Sequence, residues 1–107
     1  MVTSNDTPTE TDAQLVLLAA EGDAAAKEAL FRRHAPMVQG MAFRLLGRDD
    51  DLDEVVQDVF VEALSSLDSL RDPAAFRSWL GTIVVYRVRL RIRRRRLSAS
   101  LGFVKSD

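Results

Sequence analysis

The chain has 107 residues, of which 47% are hydrophobic, and its formal net charge is −1. This length predicts a single domain that removes about 65% of its unfolded surface from water. The sequence has no cysteine, which excludes disulfides and thiolate metal sites, and no run of about 18 apolar residues that could span a membrane. Residues 1–72 hold 6 basic and 15 acidic side chains, whereas residues 73–107 hold 9 and 1, and this split predicts two opposed electrostatic surfaces.

A polar segment opens the chain, and residues 1–10 are expected to form a disordered tail and not a signal peptide. Thr11 or Asp12 can cap a first helix. The apolar positions of this helix are Leu15, Leu17, Leu18 and Ala19. Gly22 and Asp23 then break the helix.

A second helix is expected between Asp23, a favourable N-cap, and Gly47, a favourable C-cap. Its apolar side chains recur at helical spacing and are Leu30, Phe31, Val38, Met41, Ala42 and Leu45. Pro36 should kink this helix or split it, because proline lacks the N–H group and its ring clashes with the preceding turn.

The third helix has the clearest pattern. Asp50 or Asp51 is expected to cap it, and acidic residues fill its first turn, where the helix dipole favours them. Its apolar positions step by three and four and are Leu52, Val55, Val56, Val59, Phe60, Ala63, Leu64 and Leu67. Its outer face carries Glu54, Gln57, Asp58 and Glu62. Residues 68–72 should form the loop that follows.

A fourth helix begins where Asp72 provides the cap and Pro73 the first position. Its apolar stripe consists of Phe76, Trp79, Leu80, Ile83 and Val84. For Phe76 and Trp79, packing in the core is favoured over stacking on nucleic-acid bases. Tyr86, at the edge of the stripe, is assigned to the surface.

Seven arginines then fall within ten residues, namely Arg87, Arg89, Arg91, Arg93, Arg94, Arg95 and Arg96. Unpaired arginines are not buried in a core, so the helix must leave the core near Tyr86 and project into solvent or onto a partner. Residues 98–107 are expected to be a linker or tail. The sequence therefore predicts an all-α fold, a compact bundle of about four helices with a long basic C-terminal helix.

This density of arginine favours nucleic acid as a partner, because guanidinium groups match phosphates and guanine edges. The alternatives are a solvated helix end, a helix at a membrane surface and a calmodulin-type target helix. The acidic half of the chain suits a second, basic partner.

Catalysis is not predicted. An alternating row of aspartates has the spacing of a calcium loop and consists of Asp49, Asp51 and Asp53. Glu54 and Phe60 stand where that loop needs glycine and glutamate, so helix capping is the simpler account. His34 is the only histidine, expected at a surface or half-buried position. With no triad and no glycine-rich phosphate loop, we expect no catalytic residue, no metal and no cofactor.

The order of these pieces resembles one family, the second conserved region of bacterial sigma factors of the extracytoplasmic-function type. Residues 30–34 (LFRRH) resemble the start of its first core helix. Residues 51–60 (DLDEVVQDVF) resemble its acidic signature, and residues 76–83 (FRSWLGTI) its aromatic stretch. A run of arginines follows at the family's spacing. The likeness covers about residues 11–97, which we take as the domain.

The resemblance implies a transcription initiation factor domain that docks on RNA polymerase and recognises and melts the promoter minus-ten region. Docking would be against the coiled coil of the beta-prime subunit, through Glu54, Gln57 and Asp58. A flipped non-template base would be held by the loop after the third helix, formed by Asp68, Ser69, Leu70, Arg71 and Asp72. The implied DNA-binding residues are Arg77, Tyr86, Arg87, Arg89, Arg91, Arg93, Arg94, Arg95 and Arg96.

The sequence also departs from the family pattern. Tyr86, Arg87 and Leu90 stand where members often have Asn, Leu and Asp, so no base preference is carried over. The family's helix-turn-helix domain does not follow, which indicates either a fragment or a protein without upstream recognition. An anti-sigma protein is a further partner, and the alternative function is an interaction module that binds polymerase or an anti-sigma protein without opening a promoter. We expect a bacterial cytoplasmic protein that is monomeric when free.

Overall fold

The computed structural model describes residues 10–101. Its helices are α1 (Asp12–Ala20), α2 (Ala24–Leu46), α3 (Leu52–Ser65) and α4 (Phe76–Ser100), and two 3-10 turns (Leu67–Ser69 and Pro73–Ala75) join α3 to α4. No strand occurs among these residues, so the predicted all-α bundle with a long basic last helix is confirmed. Within the same range, no helix has both the length and the apolar character needed to cross a membrane.

The first two helices begin at residues whose side chains cap them. Oγ1 of Thr11 accepts the N–H of Gln14 at 3.1 Å, and the Thr11 N–H donates to Oε1 of Gln14 at 2.8 Å. Oδ1 of Asp23 accepts two N–H groups of the first turn of α2, at 2.9 and 3.1 Å. Gly47 ends α2 with a φ of 77°, a value that strains residues with a side chain. Each such side-chain cap contributes about 1 kcal/mol.

Pro36 does not split α2, which runs as one helix from Ala24 to Leu46. The proline leaves the carbonyl group of Arg32 without its helical donor, but both residues are exposed, so water can solvate that group. Leu30 and Val38, on either side of the proline, are fully buried and hold both halves of the helix against the core.

The core takes one face from each helix. Its fully buried apolar side chains include Leu30, Val38, Val59, Phe76, Leu80 and Val84. Burial of a side chain of this size contributes about 1.5–3 kcal/mol. The predicted apolar stripes of α3 and α4 are confirmed, since every member is buried or packs against this cluster.

The apolar faces predicted for α1 and α2 are partly wrong. Four residues assigned to those faces are 39–57% exposed, namely Leu17, Leu18, Phe31 and Leu45. Val16 is buried in α1 instead, at 3% exposure. Where apolar residues are adjacent in a helix, composition alone does not fix which of them face the core, because successive side chains point about 100° apart.

α4 leaves the core later than the sequence indicated. Its buried stripe continues in steps of four through Val88, which is 2% exposed, to Ile92, which packs against the core. The expected exit near Tyr86 is therefore wrong, because the apolar period persists between the first arginines. Beyond Ile92 most side chains are exposed, and the helix continues through Ser100.

His34 is buried at 2% exposure, which corrects the expected surface or half-buried position. Its ring packs edge-on against Phe76, with 5.1 Å between centroids. Its Nε2 lies 2.9 Å from Oδ2 of Asp12 in α1, although the N–H is not aimed well enough for a directed hydrogen bond. Burial raises the pKa of the Asp12 carboxyl, but the contacts with His34 and Arg33 outweigh burial, so this pKa lies below its ordinary value of 3.8.

Candidate functional site

Arg87 and the six arginines that follow it in α4 fall into two sets, one that forms ion pairs and one that forms none with the described residues. The inward set faces α3 and the loop before it, and consists of Arg87, Arg91 and Arg95. The outward set is exposed and forms no ion pair with residues 10–101. It consists of Arg89, Arg93, Arg94 and Arg96, of which Arg94 lies on the side of α4 that faces α3. The predicted tract is therefore not a single cationic surface.

Three carboxylates bind the inward set, and we call them the acidic clasp: Asp49, Asp51 and Glu62. Nε of Arg87 donates to Oε1 of Glu62 at 2.7 Å. Nη2 of Arg91 donates to Oδ2 of Asp51 at 2.6 Å and to Oδ1 of Asp49 at 3.3 Å. Arg95 donates to the second oxygen of Asp49.

Asp49 is the centre of the acidic clasp. Its side chain is only 4% exposed, because the guanidinium groups of Arg91 and Arg95 cover it. Its Oδ1 also accepts the N–H of Asp51 at 2.7 Å, which closes the turn before α3. Burial raises the pKa of the Asp49 carboxyl, but the Asp51 N–H and the two arginines outweigh burial and lower it below 3.8. Asp49 is therefore ionised at neutral pH, and its single negative charge is shared by two guanidinium groups.

Asp51 occupies the N-cap position of α3, as predicted, but its carboxylate makes no hydrogen bond to a helix N–H group. The carboxylate binds Arg91 instead, 40 residues away in sequence. The predicted side-chain cap of α3 is thus wrong for Asp51, and the acidic cluster anchors α4.

Tyr86 lies at the surface with 53% exposure, as the sequence indicated. Arg77, in the first turn of α4, is also exposed. Together with the outward set, these side chains are the members of the predicted DNA-binding group that are free to meet a polyanion. The remaining three members are held by the acidic clasp.

The three predicted polymerase-binding residues, Glu54, Gln57 and Asp58, are all exposed on α3. They share the outer face of α3, since residues at i, i+3 and i+4 lie on one side of a helix. Glu54 and Asp58 line a hollow of about 80 Å³ whose opposite wall is formed by arginines of α4. The acidic and basic surfaces are therefore neighbours across this hollow, which corrects the expectation that they are opposed.

Gln57 borders an apolar groove of about 650 Å³ between α2 and α3. Phe31 and Val61 line this groove with 42% and 61% exposure. The Phe31 ring packs edge-on against Phe60, with 4.9 Å between centroids. Sequence reasoning missed the groove because it assigned Phe31 to the core. Its neighbour Leu30 is fully buried, but the sequence carries no clear signal for Phe31, because adjacent residues such as Val59 and Phe60 are both buried in this core.

The segment between α3 and α4 consists of two 3-10 turns and the residues that join them, and its polar side chains are exposed. Oγ of Ser69 donates to the carbonyl group of Ser66 at 2.8 Å, and Leu70 packs against the core. Oδ1 of Asp72 accepts the N–H of Ala74 at 3.0 Å, so the predicted cap is confirmed. The exposed members of the candidate base-binding loop are Asp68, Ser69, Arg71 and Asp72.

The region that carries these features is similar to known proteins. The family model described as Sigma-70 region 2 matches residues 30–98. An ECF RNA polymerase sigma-E factor of Haemophilus influenzae is 37% identical over 75 residues, which are 70% of this chain and 39% of the relative. The ECF RNA polymerase sigma factor SigM of Mycobacterium tuberculosis is 39% identical over 84 residues, 78% of this chain and 42% of the relative. The ECF RNA polymerase sigma factor SigE of Mycolicibacterium smegmatis is 33% identical over 85 residues, which are 77% of this chain and 31% of the relative.

No solved structure shows a significant match. The chain spans about 31–42% of the length of these curated relatives. The matched residues of the family model include α3, the loop after it and the arginines of α4. The chain therefore belongs to the sigma-70 region 2 family, within the sigma factors of the extracytoplasmic-function type.

Proposed function

We propose that this domain acts in transcription initiation, where it docks on RNA polymerase and recognises and melts the promoter minus-ten region. The observation that carries the proposal is the layout of α4. The polar loop 68–72 precedes its first residue, and the outward set lies along its second half. A DNA strand that follows α4 therefore meets phosphate-binding groups and a base-binding loop in succession.

The work of such a domain is binding and needs no covalent chemistry. Arginine–phosphate contacts fix the register of the DNA without reading its sequence. Unstacking one base costs a few kcal/mol, and contacts that stack or enclose it return about 1–3 kcal/mol. We therefore expect the free, monomeric domain to bind DNA weakly in the cytoplasm and the polymerase to supply the remaining free energy.

A salt titration tests the DNA contacts. Each phosphate contact with single-stranded DNA changes the slope of log affinity against log salt by about −0.7, so four outward arginines give a slope near −3. A slope near zero would show that the arginines do not contact the strand.

The docking contact is tested with the beta-prime coiled coil. Gln57 and Asp58 are exposed on α3. The double variant Gln57→Ala, Asp58→Ala should therefore weaken binding to the coiled coil without unfolding the domain. Glu21→Ala removes an exposed acid at the end of α1 and serves as the control. Equal affinity of the double variant and the wild type would remove the docking assignment.

The second candidate is an interaction module that binds polymerase or an anti-sigma protein without opening DNA. Two observations favour it. Three of the seven arginines are already bound by the acidic clasp. The groove beside Gln57 also exposes Phe31 and Val61, which is the pattern of a protein contact. This module would keep its affinity for protein partners at a salt concentration that abolishes DNA binding.

A further inference from the structure

A serine follows the arginine tract of α4 almost directly. Residues 93–98 read RRRRLS, so Arg96 and Arg95 stand at the second and third positions before Ser98. The Ser98 side chain is half-buried, and its Oγ has no hydrogen-bond partner among residues 10–101. Ser98 therefore carries a hydroxyl group for which the fold and the proposed function have no use.

The helix around Ser98 is easily opened. Ile92 is the last residue of α4 that packs against the core, and Arg95 is the last that forms an ion pair within residues 10–101. Ser98 lies beyond both, two residues before the end of the helix at Ser100. Local opening of this end exposes no core surface and therefore costs little free energy. An enzyme that binds its substrate as an extended segment can thus reach Ser98.

Arginines shortly before a serine are a recognition pattern for one class of enzyme. Protein kinases distinguish their substrates by the charges around the acceptor, and a substrate groove lined with carboxylates selects arginine at the second and third positions before it. Ser100 provides a contrast within the same helix, because Ser98 and Leu97 occupy those two positions before it. The charge pattern therefore distinguishes Ser98 from Ser100.

We propose that Ser98 is a phosphorylation site for a serine kinase with an acidic substrate groove, and that the phosphate weakens the binding of α4 to DNA. In the reaction, Oγ of Ser98 forms a bond to the γ-phosphorus of magnesium-bound ATP while the bond from that phosphorus to the bridging β-phosphate oxygen breaks. ADP leaves, and the hydroxyl proton passes to a base of the kinase. The effect on DNA rests on the proposed function, whereas the acceptor site does not.

A phosphate on Ser98 would lie beside free positive charge. Arg94 precedes Ser98 by four residues and Arg95 by three, so both side chains are neighbours of Ser98 on the helix surface. Asp49 already binds Arg95, which leaves Arg94 as the nearest free cation. A charge-assisted pair between the phosphate and Arg94 would withdraw this guanidinium group from DNA.

The charge of the phosphate is large compared with that of the outward set. A phosphoserine carries about −1.5 to −2 at neutral pH, so it offsets about half of the four positive charges of that set. The helix dipole disfavours an anion in the last turn, whereas relief of the repulsion among neighbouring arginines favours it. The lowered positive charge weakens the attraction for DNA whether or not the last turn stays helical.

The acceptor site is tested with the whole chain, magnesium-ATP and the catalytic subunit of cyclic-AMP-dependent protein kinase, which prefers arginine at these two positions. Mass spectrometry should locate the phosphate on Ser98. Ser98→Ala should take up none, and Ser100→Ala should be modified like the wild type. The assignment is wrong if Ser98 stays unmodified while a control peptide is phosphorylated in the same mixture, or if Ser98→Ala is modified as fully as the wild type.

The effect on DNA is measured by comparing the phosphorylated protein with the same sample after phosphatase treatment. The phosphate should weaken binding to a fluorescent oligothymidylate of about 12 nucleotides by about three- to tenfold. Loss of the Arg94 contact should make the salt slope shallower by about 0.7. The phosphate should have a smaller effect in Arg94→Gln, and its full effect in the matched control Arg89→Gln, since Arg89 lies nine residues from Ser98.

Two outcomes separate this inference from the proposed function. Equal affinity before and after phosphatase treatment, with Ser98 shown to be modified, would overturn the regulatory effect and leave the DNA contact of α4 intact. If the unmodified protein fails to bind the oligonucleotide at low salt, the DNA contact is wrong and the regulatory effect falls with it, while mass spectrometry still decides the acceptor site. All forms should keep the wild-type Tm, because Ser98 lies outside the core.

Discussion

Replacing Asp49 by asparagine should make the domain less stable and, at the same time, a better DNA binder. The substitution keeps an oxygen that can accept the Asp51 N–H but removes the charge that compensates Arg91 and Arg95. Arg95 then loses the carboxylate that binds it, whereas Arg91 keeps its 2.6 Å bond to Asp51. Arg95 becomes available to phosphates, so the same substitution weakens the fold and strengthens DNA binding.

The expected loss of stability follows from the burial of the three side chains. Asp49 is 4% exposed, but Arg91 and Arg95 are 23% and 47% exposed, so their pairs lie between the buried and the surface case. Fully buried pairs cost about 3–5 kcal/mol when one partner is removed, and exposed pairs about 0.2–1 kcal/mol. We expect the free energy of unfolding to fall by about 1–2 kcal/mol, or about 4–8 °C in Tm for each kcal/mol.

The same substitution should increase DNA binding. One additional arginine that contacts single-stranded DNA, Arg95, makes the salt slope steeper by about 0.7. The assays are urea unfolding and anisotropy titration of a labelled oligonucleotide over a range of salt concentrations. Asp50→Asn is the control, because Asp50 is an exposed neighbour with the same charge and no ion pair to the described residues.

The pH dependence follows from the lowered pKa of Asp49. A carboxyl with a lower pKa in the folded state stabilises the fold above its unfolded pKa of about 3.9, and this stabilisation is lost as the pH falls through the folded value. The stability difference between wild type and Asp49→Asn should therefore be full near neutral pH and shrink below about pH 4. If Asp49→Asn and Asp50→Asn had equal effects on both stability and DNA affinity, the acidic clasp would have no specific role.

Three further predictions concern the core, α2 and the exposed aromatic. Leu80→Ala, at a fully buried position, should cost about 2–5 kcal/mol of unfolding free energy, and a loss below about 1 kcal/mol would contradict the packing of α4. Pro36→Ala should stabilise the domain by about 1–3 kcal/mol in thermal unfolding, because alanine restores the donor for the Arg32 carbonyl group. A decrease in Tm would mean that the proline is needed for the path of α2. Tyr86→Ala should weaken oligonucleotide binding by about 1–3 kcal/mol while Tyr86→Phe retains it, and both should keep the wild-type unfolding midpoint.

Local features of this fold could be predicted from the sequence because they depend on residues close together in the chain. Thr11, Asp23 and Asp72 cap the turns that immediately follow them. The stripe of α3 also follows from sequence, because its apolar residues recur at three and four with few competing apolar neighbours.

Long-range pairings could not be predicted in the same way. Asp51 has the sequence context of a helix cap, and only the approach of Arg91 from α4 decides that its carboxylate binds a cation instead. His34 is buried because Phe76 and Asp12 arrive from two other helices. The same holds for the candidate site. The sequence shows seven arginines, but it does not show which of them form ion pairs with carboxylates of the same chain.

The end of α4 beyond Ile92 is a stretch of helix that the core does not support. Its outer turns gain no burial, and neighbouring arginines repel one another, so they persist mainly because the buried half has already nucleated the helix. Amide exchange should be slow near Val84 and progressively faster towards Ser100, and a bound polyanion should slow the fast end. How far this helix extends in solution is thus set by the counter-ions around it as much as by its own residues.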